Sequence, residues 1–138
     1  MWLNSTAQNA LRAVLYIANQ HGSEPVRVDE IAAALECPRN YLSKTLHTLT
    51  RAGVLTSMRG RHGGFQLAVA PEALHLGQVV ASFVPAGERC LLGRSGCGST
   101  QTCLVHHRWS RVASRVEEFF GKTTVAELLL QDPATRII

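Results

Sequence analysis

At Gly53 the spacing of the apolar residues changes, and that change limits what this chain can fold into. Before it, apolar side chains recur at helical intervals; after it come two short runs rich in β-formers, 54–59 and 65–69. Gly60-Arg61-His62-Gly63-Gly64 joins them, which reads as a hairpin with a basic, glycine-rich tip. Upstream, Asn4, Ser5 and Thr6 offer N-caps for a first helix. Ala7, Leu11, Val14, Leu15 and Ala18 share one face of it, and Gly22 is its expected stop. Asp29 is the expected cap of a short second helix carrying Ile31, Ala32 and Leu35. Cys37-Pro38 then interrupts the chain, and Pro38 suits the first turn of a third helix. There Leu42, Leu46 and Leu49 form the inner stripe, and the other face presents Arg39, Asn40, Ser43, Lys44 and His47. Two short helices joined by a tight turn, the second showing polar and basic residues from its start, describe a helix-turn-helix. A hairpin directly after it is the wing of a winged helix.

Charge follows the same elements. Residues 37–71 contain no Asp or Glu, yet hold Arg39, Lys44, Arg51, Arg59 and Arg61, with His47 and His62 beside them. The net charge of the whole chain is a modest +4, so its distribution says more than its size. One sign confined to the third helix and the wing is the footprint of a nucleic-acid surface. Wing arginines suit phosphates or a minor groove, while Arg39 and Lys44 can approach guanine edges or phosphates and Asn40 can pair with adenine. With 46% hydrophobic residues, a chain of 138 residues builds a real core, as one domain or a compact domain with an appended element. No apolar run approaches the roughly 20 residues of a membrane span, and the N-terminus lacks the pattern of a signal peptide. A cytoplasmic protein is the expectation, with its thiols reduced.

Cys90, Cys97 and Cys103, with six and five residues between them, stand among Gly93, Gly96 and Gly98, with His106 and His107 close behind. Thiolates so close in sequence converge when the backbone turns sharply, and the set suits an iron–sulfur cluster or a zinc site. Before this loop, a short helix is expected around 77–83. After it, Trp109, Val112, Val116, Phe119 and Phe120 mark a long helix that Gly121 ends. Thr124-Val125-Ala126-Glu127 resembles a capping box opening a last short helix. The aromatic stripe needs a partner: the first helix for part of it, and the same helix of a second copy for the remainder. The expected divisions are a winged helix-turn-helix over 1–84, a cysteine-rich loop over 85–107, and a dimerisation helix with its short successor over 108–138. No nucleotide loop, second cluster motif or nucleophilic constellation suggests an enzyme.

Tyr41-Leu42, Leu46, Leu49, Ala52-Gly53-Val54-Leu55 and Arg59-Gly60 with Gly63-Gly64-Phe65 resemble the signature of the IscR/NsrR-type winged-helix regulators, the Rrf-two superfamily. Leu11-Arg12-Ala13 and the three-cysteine loop match too, so the resemblance spans essentially the whole chain. It implies a mainly α fold with a small β-hairpin, and a homodimeric bacterial transcription regulator, most often a repressor, acting on a double-stranded DNA operator. It also implies a cluster held by Cys90, Cys97 and Cys103, with the helix after the loop at the dimer interface. In the branch that regulates iron–sulfur biogenesis the fourth ligand is a histidine within Cys-Leu-x-His, and Cys103-Leu104-Val105-His106 matches at His106. In the nitric-oxide sensors, which carry a [4Fe–4S] cluster, it is an acidic residue near the partner's N-terminus, where this chain has Gln8. The resemblance thus favours a [2Fe–2S] cluster on three cysteines and His106. The DNA-facing set is Arg39, Asn40, Tyr41, Ser43, Lys44 and His47 from the helix, and Arg59, Arg61 and His62 from the wing. Ser43 and Lys44 stand where the biogenesis regulator has an acid and an amide, which implies a different operator.

Overall fold

The computed structural model describes residues 3–20, 24–84, 90–92 and 103–130. Six helices and one hairpin follow in order: α1 Ser5–Asn19, α2 Val28–Leu35, α3 Arg39–Arg51, β1 Leu55–Met58, β2 Gly64–Leu67, α4 Leu76–Val80, α5 His106–Lys122 and α6 Val125–Leu129. The core forms around α1. Its Ala7, Ala10, Ala13 and Val14 are fully buried, and small side chains at helical spacing let α2, α3, α4 and β2 approach its backbone closely. Ile31 and Leu35 of α2, Leu42, Leu46 and Leu49 of α3, and Phe65 of β2 close the cluster.

Asn4 caps α1 as expected, its Oδ1 accepting from the Ala7 N–H at 2.8 Å. The helix ends earlier than Gly22, at Asn19, where the Gln20 N–H turns back to the Ile17 carbonyl at 3.2 Å. The expected cap of α2 is also corrected. The helix starts at Val28 behind Arg27, which makes no side-chain cap, and Asp29 lies inside the first turn. The reason is non-local: Val26 pairs with Phe65 through two bonds of 2.8 Å, so the chain stays extended up to Arg27 and coils as soon as that bridge ends. From within the turn Asp29 still faces the positive helix end.

The turn between α2 and α3 rests on Glu36, which takes left-handed angles (φ 51°, ψ 44°). The Cys37 N–H reaches back to the Ala32 carbonyl at 3.0 Å and the Glu36 N–H to Ala33, a Schellman closure. Arg12 secures it from α1, donating to the Leu35 carbonyl at 3.1 Å and to Asn9 Oδ1 at 3.2 Å. Asn9 Nδ2 in turn lies 3.7 Å from the half-buried Cys37 sulfur, so that thiol is a packing element of the turn. Pro38 precedes α3 as its cap rather than sitting in the first turn.

The hairpin is antiparallel, with Leu55 opposite Leu67 and Met58 opposite Gly64. Beyond it, α6 returns to the winged core. Thr124 and Glu127 form the expected capping box, the Val125 N–H donates to the Leu74 carbonyl at 2.8 Å, and Val125 is fully buried. The long helix begins at His106, two residues before the boundary expected from the sequence, so both histidines belong to its first turn. It packs on α4: Phe120 joins the core, and its carbonyl passes so near Gly77 that a Cβ there would sit 3.1 Å away. Val112 and Phe119 on its outer side stay 49% and 50% exposed. No helix among the described residues is long and apolar enough to cross a membrane.

Candidate DNA-binding face and cysteine cleft

Buried Leu42, Leu46 and Leu49 fix the rotation of α3, which turns Arg39, Asn40, Tyr41, Lys44 and His47 to the surface and leaves Ser43 half-buried. Thr45, the one buried polar residue among those described, donates to the Tyr41 carbonyl at 3.3 Å. Asn40 and Lys44 make no side-chain hydrogen bond or ion pair with another described residue, as suits groups that meet a ligand. Two of the expected readers are engaged within the chain. The Arg39 Nε donates to Asp29 Oδ1 at 2.5 Å, both groups exposed, and the Tyr41 hydroxyl is hydrogen-bonded to Thr6 Oγ1. His47 sits edge-on to the Phe65 ring, centroids 5.6 Å apart at 72°.

That aromatic contact joins helix to wing. Phe65 is buried, bridges to Val26 and touches His47, so the hairpin cannot swing without disturbing the core. Gly64 makes the fit possible. Its φ is +153°, and a Cβ there would stand 2.5 Å from the Val26 carbonyl oxygen. The tip beyond carries Arg59, Arg61 and His62, all exposed. With Arg39, Lys44 and Arg51 also exposed, every cation of the acid-free stretch lies on the surface of α3 or the wing. Asp29, read from the sequence only as a cap, stands against this face.

The cysteine region is seen in part. Cys90, Cys103 and His106 line one small cleft with Leu91, Leu92, Val105 and Trp109. Cys90 and Cys103 are half-buried, and neither is in a disulfide. Cys97 lies outside the described residues, and among the described residues no three His, Cys, Asp or Glu stand in metal-holding geometry. Two thiols and an imidazole opening on one cleft are nonetheless the soft and borderline donors that an iron–sulfur cluster or zinc takes. His106 is half-buried and His107 exposed, which separates the two imidazoles that the sequence left in competition. Gln8, on α1, donates to the Leu3 carbonyl at 3.1 Å.

The contacts that sequence reasoning missed share one trait. Asp29 with Arg39, Thr6 with Tyr41, and Asn4 with Phe83 each join residues far apart in the chain, and no local pattern marks them.

Comparison with known proteins agrees with the fold. A family profile described as Rrf2, iron-dependent transcriptional regulator, matches residues 3–131. A protein of Aquifex aeolicus named as an HTH-type transcriptional regulator is 35% identical over 133 residues, covering 94% of this chain and 92% of the relative. The HTH-type transcriptional regulator IscR of Aliivibrio salmonicida is 27% identical over 139 residues, covering 99% and 82%. Among solved structures, CymR, the global cysteine regulator of B. subtilis, superposes with a TM-score of 0.78 at 22% identity, covering 94% of this chain and 96% of that one. IscR of T. potens gives 0.75, also at 22% identity, covering 94% and 86%. At that identity the structures speak to the fold, whereas the family match extends over nearly the whole chain. The winged helix-turn-helix with its basic surface, and a profile spanning residues 3–131, establish that this chain belongs to the Rrf2 family of transcriptional regulators.

Proposed function

We propose that this regulator is a dimeric, cytoplasmic DNA-binding repressor whose affinity for its operator follows the state of an iron–sulfur cluster held by Cys90, Cys97, Cys103 and His106. The observation that carries the reading is the shared cleft of Cys90, Cys103 and His106 at the start of α5. Three thiolates and one imidazole complete the four protein ligands of a [2Fe–2S] cluster, and a histidine ligand raises the potential and makes ligation sensitive to protonation. Such a cluster, when bound, supplies a one-electron redox change or is lost outright. Gln8, an amide where the nitric-oxide sensors of the family carry a carboxylate, argues against the [4Fe–4S] alternative.

On DNA, Asn40, Ser43 and Lys44 read base edges from the start of α3, and Arg59, Arg61 and His62 contact phosphate or the minor groove from the wing. Arg39, held at Nε by Asp29, keeps its outer guanidinium nitrogens for a phosphate. Two copies join through the outer side of α5, where Val112 and Phe119 stand half exposed among the described residues.

The test is protein purified without oxygen. It should be coloured, with two irons and two sulfides per chain. Cys90→Ala, Cys97→Ala and Cys103→Ala should each abolish the cluster, and His106→Ala should shift its spectrum and shorten its life. A colourless protein containing one zinc per chain would replace this reading with a structural zinc site. A His107→Ala protein that lost the cluster while His106→Ala kept it would overturn the fourth ligand.

A further inference from the structure

We propose that Asn4, the N-cap of α1, and Thr6, in its first turn, are positioning residues that tie the chain entering the cysteine segment to the recognition helix. The proposal rests on the cluster-sensing reading above. Asn4 acts through two different atoms. Its Oδ1 caps α1 by accepting from the Ala7 N–H, and its Nδ2 donates to the Phe83 carbonyl, both at 2.8 Å. Starting the helix needs only the first bond, and serine or aspartate would serve equally there. The second joins residues 79 apart in sequence, and only six residues separate Phe83 from Cys90.

Two residues after Asn4, Thr6 Oγ1 holds the hydroxyl of Tyr41. Tyr41 lies in the first turn of α3, directly after Asn40 and before the fully buried Leu42. The turn that carries both ties is seated on the core through Ala7, and Ala10 and Ala13 of the following turns are likewise fully buried. A displacement of Phe83 as the cysteine segment is rearranged therefore reaches the DNA-reading end of α3 through two hydrogen bonds and one turn of helix. Coupling of this kind needs a contiguous physical route, and this one is made of named atoms. Among the described residues a further polar tie on that end of α3, Arg39 with Asp29, runs to α2.

The variants separate the ties from stability. Asn4→Ser keeps a capping oxygen but is too short to reach Phe83, and Asn4→Asp, an equally good cap without the donor, replaces it should the serine variant fold poorly. Thr6→Val keeps the shape and removes the hydroxyl, and Thr6→Ser restores it. The probe is the duplex that the wild-type protein, loaded and metal-free in turn, selects from a randomised pool. In wild type the two forms should differ in affinity by roughly 5–150-fold. Asn4→Ser and Thr6→Val should each shrink that ratio by about fivefold, the worth of one hydrogen bond. Iron content and thermal midpoint should stay at wild-type values, and Thr6→Ser should recover the ratio. A second readout needs neither DNA nor cluster: in metal-free protein the loop thiols should react about fivefold faster with a chromogenic disulfide in Asn4→Ser and at the wild-type rate in Thr6→Val. Ratios unchanged in both variants, or affinity lost equally by both forms, would overturn the proposal while leaving cluster sensing intact. A wild type that holds no iron, or binds equally well in both forms, would overturn the cluster-sensing reading, and this proposal with it.

Discussion

Gly64→Ala should cost far more than Gly60→Ala, although the two glycines flank the same hairpin tip and both have positive φ. At Gly60 φ is +104° and an added Cβ would meet nothing within 4 Å. At Gly64 φ is +153°, and the Cβ would stand 2.5 Å from the Val26 oxygen and 2.6 Å from its carbonyl carbon. Both variants strain the backbone by about 1–3 kcal/mol, and both recover about 0.4–1 kcal/mol because alanine restricts the unfolded chain. Those contributions largely cancel when the two are compared. What remains belongs to the Val26 contact.

That contact must open by about 0.9 Å to reach ordinary packing at 3.4 Å, and the neighbour is peptide backbone with no rotamer to give way. The bonds from the Val26 N–H to the Phe65 carbonyl and from the Phe65 N–H to the Val26 carbonyl, both 2.8 Å, do not survive such a shift. At about 1 kcal/mol each, Gly64→Ala should be roughly 2 kcal/mol less stable than Gly60→Ala. With a urea slope of roughly 2 kcal/mol per molar, the midpoints should lie about 1 M apart. They must be measured at one protein concentration, since self-association contributes to apparent stability. Midpoints within about 0.3 M of each other would mean that Val26 does not anchor the wing, and the account of why a glycine precedes Phe65 would fail.

Three further outcomes are expected. Arg59→Ala or Arg61→Ala should weaken binding to selected and scrambled duplexes alike and reduce the salt slope by about one, whereas Asn40→Ala or Lys44→Ala should cost roughly 1–3 kcal/mol on the selected duplex and much less on the scrambled one; the reverse pattern would exchange the roles of wing and helix. Phe119→Asp should yield monomers by light scattering and lose DNA affinity at the same time, and a cluster-loaded wild type that is itself monomeric would sink the dimer. Burial first, and then the bond it donates to Glu30 Oε1 at 2.9 Å, raises the Tyr16 hydroxyl above its ordinary value of 10.0, so its stabilisation is complete below pH 10 and lost as pH climbs through the folded value. Tyr16→Phe should therefore lose less stability than wild type as pH rises above 10.0 in urea titrations, and equal losses would refute the assignment.

What could be read from the sequence was whatever local physics decides. Asn4 and the Thr124–Glu127 box were visible as caps because a short polar side chain meets its own helix within three residues. The period change at Gly53 marked the hairpin, since two-residue alternation and helical spacing do not coexist in one run. Asp29 was misread because the start of α2 is set by the pairing of Val26 with Phe65, 39 residues away in sequence. The stripe of α5 was legible as apolar, yet the packing of its Phe120 side on α4 depends on a close passage at Gly77 that no spacing encodes. In the cysteine region, residue type alone suggested the candidate donors, and folding then left His106 half-buried and His107 exposed.

Phe65 draws these strands together. Its backbone pairs with Val26, its ring is buried in the core around α1, and the edge of that ring meets His47 of the recognition helix. Helix and wing are thus locked in relative position before any DNA arrives, which spares the cost of ordering them on binding. A unit so locked cannot be regulated by loosening the wing without sacrificing core stability. It can be regulated by moving as a whole, either against a second copy or through elements attached at its edge. α1 packs against both α3 and α4, and its N-cap and first turn hold Phe83 and Tyr41 at once. Sensitivity to the cysteine segment is therefore best built where it costs the core nothing, in two exposed hydrogen bonds at the start of the central helix.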